Sequence, residues 1–483
     1  MRVNLARLGA ITEVASGKRT SARDLAAEVE RRTAVLSARA IGRGGHVVIA
    51  HGGTASFFAD LLSVWQTGAC AVCIDPRLTP GELVTIVDFV QPMAVLVEDG
   101  EAVSIDRPVP VLRLAGERPA AEPARTAESS IDDPALILFT SGTTGDPKGV
   151  VHSFRSLFAR ISLNAMGLGA PTLAQTLCVL PTHFGHGLIG NCLTPLLTGG
   201  DLLLWPGIGV KTAGGLAAAI DEHAVTFMSS VPSFWKLALK LGRPPRTQRL
   251  RQVNIGSAPL SAELWQAVKA WAGTDNVVNA YGITETANWA ASASARDMVP
   301  EDGLVGRPWG GSAAVLGEDG RIVGEGGGEV LLQTPSLMSG YHRRPDLTAA
   351  VLRDGWFHTG DTGTIGGDGI IRLVGRRKHE INRAGQKVHP EEIDALLERH
   401  PDVAEACTFG LPDAISGELV AAAVCLRAGA ALGEADLRRW CLERVRRELA
   451  PERWFFLTAL PKTERGKVDR RAVVTACTSA TPR

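Results

Sequence analysis

Residues Phe139-Thr140-Ser141-Gly142-Thr143-Thr144-Gly145-Asp146-Pro147-Lys148-Gly149 put four hydroxyl side chains, three glycines and one lysine into one short stretch. Glycine lets a backbone approach a ligand closely. Hydroxyls and exposed N–H groups donate to phosphate oxygens, and lysine adds a point charge. The stretch is therefore expected to hold a polyphosphate. It is not a G-x-x-x-x-G-K-[ST] loop, because Pro147 precedes Lys148 and no Ser or Thr follows it. A plain surface turn would share the Gly, Ser, Thr, Asp and Pro content. It would rarely gather this many hydroxyls and a lysine straight after the apolar run 136–139.

Three further segments carry chemistry. Asn279-Ala280-Tyr281-Gly282-Ile283-Thr284-Glu285-Thr286 ends a predicted strand with a carboxylate. Glu285 suits a hard cation such as Mg²⁺ that offsets phosphate charge. Thr284 can donate to a phosphate, and Tyr281 can stack on a base. Trp356-Phe357-His358-Thr359-Gly360-Asp361 offers an acceptor-only group, which suits the two O–H donors of a ribose diol. Pro461-Lys462-Thr463-Glu464-Arg465-Gly466-Lys467-Val468-Asp469 places a lysine behind a glycine near the C-terminus. Each segment alone reads as well as a capped turn or a solvated charge; their combination and order do not.

Together, from about residue 136 to 469, these segments resemble the signatures of the adenylate-forming superfamily. That group holds acyl- and aryl-CoA ligases, nonribosomal peptide adenylation domains and luciferases. The resemblance implies that Thr140, Ser141, Gly142, Thr143, Thr144 and Lys148 grip the ATP phosphates. It implies Gly256, Ser257 and Ala258 beside adenine with Tyr281, and Asp361 and Arg376 on the ribose. Glu285 would hold Mg²⁺, with Thr284 on the α-phosphate. Lys378 would be the hinge of a mobile C-terminal domain, and Gly385 would line the thiol tunnel. Lys467 would stabilise the charge that builds as a carboxylate attacks the α-phosphorus.

Pro181-Thr182-His183-Phe184-Gly185-His186-Gly187 matches the segment that gates the family's acyl pocket. His183, Phe184 and Gly187, with Ser229 and Gly282, are the expected pocket residues, Phe184 being the gate. Relatives that activate amino acids place an Asp here to pair with the ammonium, but positions 181–191 hold no acidic residue. A buried ammonium without a partner is costly, so the expected acid lacks an α-amino group and is an aryl or short acyl acid. The acceptor thiol is expected to be that of CoA, or else the phosphopantetheine arm of a carrier protein loaded by a stand-alone enzyme. A luciferase-type monooxygenase shares these motifs. A non-catalytic nucleotide sensor would lack Glu285 or Lys467.

These residues need elements to carry them. Short apolar strands at 46–50, 71–74, 94–97, 176–180, 201–205, 226–229, 252–255 and 277–280 alternate with helices at 21–45, 54–67 and 261–271. That pattern predicts α/β architecture with helix-covered sheets. After Gly303 glycines become dense and short strands follow, a small β-rich subdomain over about 304–377. A small α+β C-terminal domain is expected over 378–483, with a helix from Pro390, strands at 404–409 and 420–426, a helix over 434–449 and a frayed tail over 475–483. The large N-terminal domain then spans 1–377. At 483 residues two or more domains are required. Zero formal net charge argues against a nucleic-acid or anionic-membrane partner. No run reaches membrane-spanning length, and no secretory signal is apparent, so a cytoplasmic location is expected. Cys70-Ala-Val-Cys73 sits in an apolar run and reads as buried strand rather than a metal or redox pair.

Overall fold

The computed structural model describes every residue except 1–2, 101–104, 120–128, 141–146, 208, 377–378, 384–385, 414–416, 446, 448, 464–465 and 480–483. In a seven-stranded sheet, His46–Ile49 lies parallel to Cys70–Cys73 and to Ala94–Leu96, and Cys70–Cys73 continues in parallel to Pro134–Thr140. Parallel neighbours require long crossovers, which the helices Ala55–Thr67 and Pro80–Val90 supply. The first begins at Thr54, whose hydroxyl accepts the Phe57 N–H, and ends on Gly68 at φ 83°. Almost every one of its residues is buried, including Phe57, Phe58 and Trp65. A helix apolar on all sides must be covered on all sides. Its one acid, Asp60, is satisfied by Arg32 at 2.6 Å and His51 at 2.8 Å.

The apolar run at 136–139 is the middle of the strand Pro134–Thr140. It turns back on an unforeseen antiparallel partner, Lys148–Ser153, with Thr140 opposite Lys148. The glycine-rich stretch is therefore the connection of a hairpin whose two ends are pinned by sheet pairing.

A fifteen-stranded sheet carries the rest of the large domain. Asp201–Leu204, Gln175–Cys178, Phe227–Ser230, Gln252–Gly256 and Val277–Ile283 run in parallel. The carboxyl ends of such strands are where open α/β sheets bind ligands, and Ser229, Gly256, Ser257 and Tyr281 fall there. Asn288–Ser294 then pairs antiparallel with Val277–Ile283 on one side and with Leu304–Pro308 on the other. The glycine-dense strands 304–376 thus extend this sheet by hydrogen bonds. Their core of Val305, Val315, Val330, Leu332, Ile365 and Ile371 includes Ala290 and Ala291.

The C-terminal domain is a five-stranded sheet with helices on both faces. Along Gly417–Leu426 the side chains alternate. Val420, Ala422 and Val424 face Ile393, Leu397 and Leu437, and Ala421, Ala423 and Cys425 face Phe409, Val473 and Cys477. Two expectations are corrected here. The helix predicted over 434–449 stops at Leu442. The Arg444 and Val445 N–H groups both turn onto the Cys441 carbonyl, so Val445 and Leu449 reach the same core from a turn. The tail from 475 is not frayed as a whole, because Arg470–Ser479 is a helix anchored by buried Val473 and Cys477. All eight cysteines are buried and free. Burial pushes the Cys70 and Cys73 thiols well up, which fits inert strand residues.

Gly306 joins the glycine-dense strands to the main sheet. Its φ is +77°, and a Cβ there would lie 1.9 Å from the Ser292 carbonyl oxygen. Gly306→Ala is expected to lose about 2 kcal/mol or more of unfolding free energy in denaturant titration. A variant as stable as the parent would contradict this close approach.

Candidate active site

Between the antiparallel strands Val277–Ile283 and Asn288–Ser294 the chain makes a single 3₁₀ turn, Thr284–Thr286, followed by Ala287 at φ 56° and Asn288 at φ 115°. Three successive carbonyls of this turn are held from behind. His152 Nε2–H donates to Thr284 at 2.8 Å, the Met338 N–H to Glu285 at 2.8 Å, and the Ser336 hydroxyl to Thr286 at 2.9 Å. A carbonyl only accepts, so His152 carries its proton on Nε2. Burial lowers the His152 pKa to about 4, and the ring is neutral at physiological pH.

Glu285 is 8% exposed. Its Oε1 accepts from the Tyr341 hydroxyl at 2.7 Å and lies 3.8 Å from Lys148 Nζ. Lys148 also sits 4.0 Å from the centroid of the Tyr341 ring, a cation–π geometry. Burial and the Glu285 charge push the Tyr341 phenol far up, so it stays a donor. Both contacts fall on Oε1, and a carboxylate offers about four acceptor sites, so Glu285 fits a hard cation. Among the described residues no three His, Cys, Asp or Glu side chains gather into a metal group. Mg²⁺ held through nucleotide phosphates asks for only one or two protein carboxylates.

Asp361 is 4% exposed and has a partner on each oxygen. Tyr281 donates from its hydroxyl at 2.5 Å, and Arg376 Nε, opposite it in the sheet, lies at 2.7 Å. The Tyr281 phenol is pushed well up by burial and by Asp361. The expected base-side and ribose-side residues therefore form one hydrogen-bonded group.

The segment after Pro181 enters a π-helical turn, His186–Leu193, an element that recurs at functional sites. Gly187 lies within it. His186 bridges two strand ends, with Nδ1 2.9 Å from Ser257 Oγ and Nε2 2.5 Å from Ser229 Oγ. Burial, helped by the Lys467 charge, lowers its pKa to about 3, so one nitrogen donates and the other accepts. His183 Nε2 lies 3.3 Å from Asp75, which Arg77 also holds at 2.8 Å. Phe184, the expected gate, is packed in the main core and meets His186 edge-on at 6.4 Å. Ala258 and Gly282 lie partly exposed at this edge beside Ser257 and Tyr281.

Lys467 comes from the small domain, on a hairpin closed by the bridge Lys462–Val468 and the Thr463 N–H to Lys467 carbonyl bond at 2.7 Å. Gly466, at φ +71°, packs so closely on Ser233 that a Cβ would meet its Oγ at 2.7 Å. Lys236 pairs with Glu398 at 2.9 Å, and Arg399 pairs with Asp302. The small domain is thus seated with Lys467 toward His186. The structure places Lys148 beside Glu285, joins Tyr281, Asp361 and Arg376, and joins Ser229 and Ser257 through His186, with Lys467 on the hairpin that meets Ser233. Ser141, Gly142, Thr143, Thr144, Lys378 and Gly385 lie outside the described residues, as does the side chain of Thr140. Sequence reasoning did not select Tyr341, His152, His186 or Asp75. Only His186 had a signal, as the second histidine of the 181–187 segment.

Residues 4–342 match the family model of the AMP-binding enzyme, and residues 392–467 match that of the AMP-binding enzyme C-terminal domain. An oxalate–CoA ligase of Arabidopsis thaliana is 34% identical over 368 residues, covering 75% of this chain and 71% of the relative. A 2-succinylbenzoate–CoA ligase of Bacillus cereus is 30% identical over 406 residues, 84% of this chain and 82% of the relative. The crystal structure of ATP-bound MatB from Rhodopseudomonas palustris superposes with a TM-score of 0.85 at 26% identity, covering 97% of this chain and 95% of that one. Among the described residues no helix is long and apolar enough to cross a membrane.

The buried neutral His152 sets a pH dependence. The folded pKa is about 4 and the unfolded one about 6.5. Between these values the unfolded chain binds a proton that the folded chain does not, so stability falls as pH drops through that window. His152→Gln keeps a donor for Thr284 and removes the titration. It is expected to flatten the fall in unfolding free energy between pH 6.5 and 4 by up to roughly 3 kcal/mol. An unchanged slope would contradict a neutral His152.

Proposed function

Since the chain belongs to the AMP-binding enzyme family and is an AMP-forming enzyme of its acid–CoA ligase type, we propose that it activates an aryl or short acyl acid without an α-amino group and passes the acyl group to the thiol of CoA. In the first half-reaction a carboxylate oxygen attacks the α-phosphorus of ATP and the bond to pyrophosphate breaks. In the second, a thiol sulfur attacks the acyl carbon, AMP leaves and the thiol proton is released. The observation that supports this reading most is the seat of the Lys467 hairpin, whose Gly466 packs on Ser233, so that the Lys467 charge acts on His186 at the strand end that holds Ser229.

Asp361 and Arg376 are assigned to the ribose, and Tyr281 with the backbone at 256–258 to the adenine. Lys148 and the hairpin connection from Thr140 take the β- and γ-phosphates, and Thr284 the α-phosphate. A Mg²⁺ on Glu285 would offset phosphate charge when bound. Lys467 stabilises the negative charge that grows on the equatorial oxygens. Lys378 is assigned as the pivot, at the junction of a 1–377 and a 378–483 domain. Movement there would exchange Lys467 for the thiol-binding loop at Gly385.

A short acid is proposed over a long fatty chain because His186, Ser229 and Ser257, hydrogen-bonded to one another in the assigned acyl region, make its surroundings polar. Asp75 approaches His183 at 3.3 Å and is also held by Arg77. An ammonium would compete with both for it, which supports an acid lacking the amino group.

Two measurements test the reading. Pyrophosphate exchange across a panel of acids is expected to select short or aryl acids and reject α-amino acids, and selection of an α-amino acid would overturn the substrate class. Lys467→Ala is expected to lower exchange by about 10²–10³-fold, while thioester formation from supplied acyl-adenylate and CoA persists. Near-normal exchange would remove Lys467 from the adenylation step. Offering a carrier protein in place of CoA identifies the acceptor, and thioester on the carrier alone would replace CoA.

A further inference from the structure

Arg160 is 0% exposed, and among the described residues no carboxylate lies within ion-pairing distance of it. A guanidinium buried without an anion is expensive, and burial lowers its pKa to about 10, so it still carries its charge. All its hydrogen bonds go to neutral oxygens. Nε and Nη2 donate to Ser336 Oγ at 3.0 and 2.7 Å, Nη2 also to Thr334 Oγ1 at 3.1 Å, and Nη1 to the Trp309 carbonyl at 3.0 Å.

The chemistry of Ser336 makes this arrangement directional. A serine hydroxyl has one proton and two acceptor lone pairs. Arginine has no acceptor, so both of its N–H groups occupy those lone pairs. The Ser336 proton must then point away from Arg160, and of the two acceptors in reach the Thr286 carbonyl at 2.9 Å is nearer than Thr334 Oγ1 at 3.1 Å. Thr334 is oriented likewise, accepting from Arg160 and donating to the Gly310 carbonyl at 2.9 Å. Thr286 closes the 3₁₀ turn that carries Thr284 and Glu285. A second link is electrostatic: after burial, the Arg160 charge also disfavours protonation of His152, and His152 holds the Thr284 carbonyl from the same side.

We propose that Arg160 is a positioning residue for the adenylation half-reaction: through Ser336 it fixes the direction in which the Thr284–Thr286 turn presents Glu285 to a magnesium–nucleotide. The inference rests on the assignment of Glu285 to the metal made above. A clamp behind a metal-holding turn acts on the step that uses the metal, whereas a general packing role would act on both half-reactions alike. Outer partners of metal ligands commonly affect metal affinity or activity by about 10–100-fold.

The test compares parent, Arg160→Met, Arg160→Lys, Ser336→Ala and the Met/Ala double variant, all as the full-length chain. Arg160→Met and Ser336→Ala are each expected to lower acid-dependent pyrophosphate exchange by about 10–100-fold and to raise the Mg²⁺ concentration for half-maximal rate. Thioester formation from supplied acyl-adenylate should stay within about 3-fold, a bound set well below the 10-fold lower limit for the first step. The double variant should be no worse than the poorer single one, since both break one chain of bonds, and Arg160→Lys should recover part of the rate. Independently of turnover, calorimetric titration with magnesium and a non-hydrolysable ATP analogue should show weaker binding in both single variants. Equal loss in both half-reactions, additive losses, or unchanged magnesium dependence and analogue binding would each overturn the proposal. Should Arg160→Met fail to fold, Ser336→Ala and Arg160→Lys decide it by the same measurements. If the parent itself exchanges no pyrophosphate with any acid, the functional reading fails instead, and the analogue titration still judges Arg160.

Discussion

One constraint organises the site: the carbonyls of Thr284, Glu285 and Thr286 all point into the protein, and each has a donor waiting for it. A short turn held by its carbonyls has its remaining groups turned the other way. Glu285 consequently projects toward Lys148 and Tyr341 rather than collapsing into the core. Buried backbone acceptors left unpaired would be costly, so the donors behind the turn hold its orientation as well as its stability. His152 comes from the strand that follows the glycine-rich connection, and Ser336 and Met338 from the segment leading to Tyr341. The turn is thus the point at which both large sheets meet.

Around that point the polar residues of the large domain are tied to one another. Asp361 and Arg376 are paired across neighbouring strands and Tyr281 joins them from a strand further along the same sheet, and the His186 bridge ties two parallel strand ends together. These are rigid fixtures of the large domain. Among the described residues the small domain meets the large one through the close Gly466–Ser233 contact, the packing of Gly375 against Glu391, and half-exposed ion pairs such as Lys236–Glu398 and Arg399–Asp302. Half-exposed pairs of this kind contribute little individually. The movement proposed for the small domain would exchange these contacts for others.

Much of this was legible in the chain. Strand and helix positions in the first three hundred residues followed from apolar runs and caps, and most agree to within a residue or two, although the first helix ends at Ala38 rather than running to 45. Lys148 stood out because so many hydroxyls and glycines after an apolar strand are rare without a ligand, whereas Glu285, Asp361 and Lys467 stood out only through the order of their segments and the resemblance that order carries. What remained hidden depends on long-range packing. Tyr341 is an ordinary tyrosine until its short strand pairs with Val150 and Val151. Arg160 lies on a helix whose sequence reads as amphipathic, and nothing local says that its guanidinium is buried among neutral oxygens. The helix predicted to reach Leu449 ends early because apolar spacing reports which side chains reach a core, not whether a helix delivers them. The pairing of Lys148–Ser153 with the preceding strand was masked by Pro147, which reads locally as a turn.

The central proposal is spatial: a nucleoside triphosphate would sit with its ribose at Asp361 and its phosphates between Lys148 and Glu285. The most direct measurement is a crystal structure of the protein with magnesium and a non-hydrolysable ATP analogue. The account predicts ribose hydroxyls within hydrogen-bond distance of Asp361 and a magnesium ion bridging Glu285 and the phosphates. A nucleotide bound with its phosphates away from the Thr284–Thr286 turn, or a metal on other residues, would contradict it.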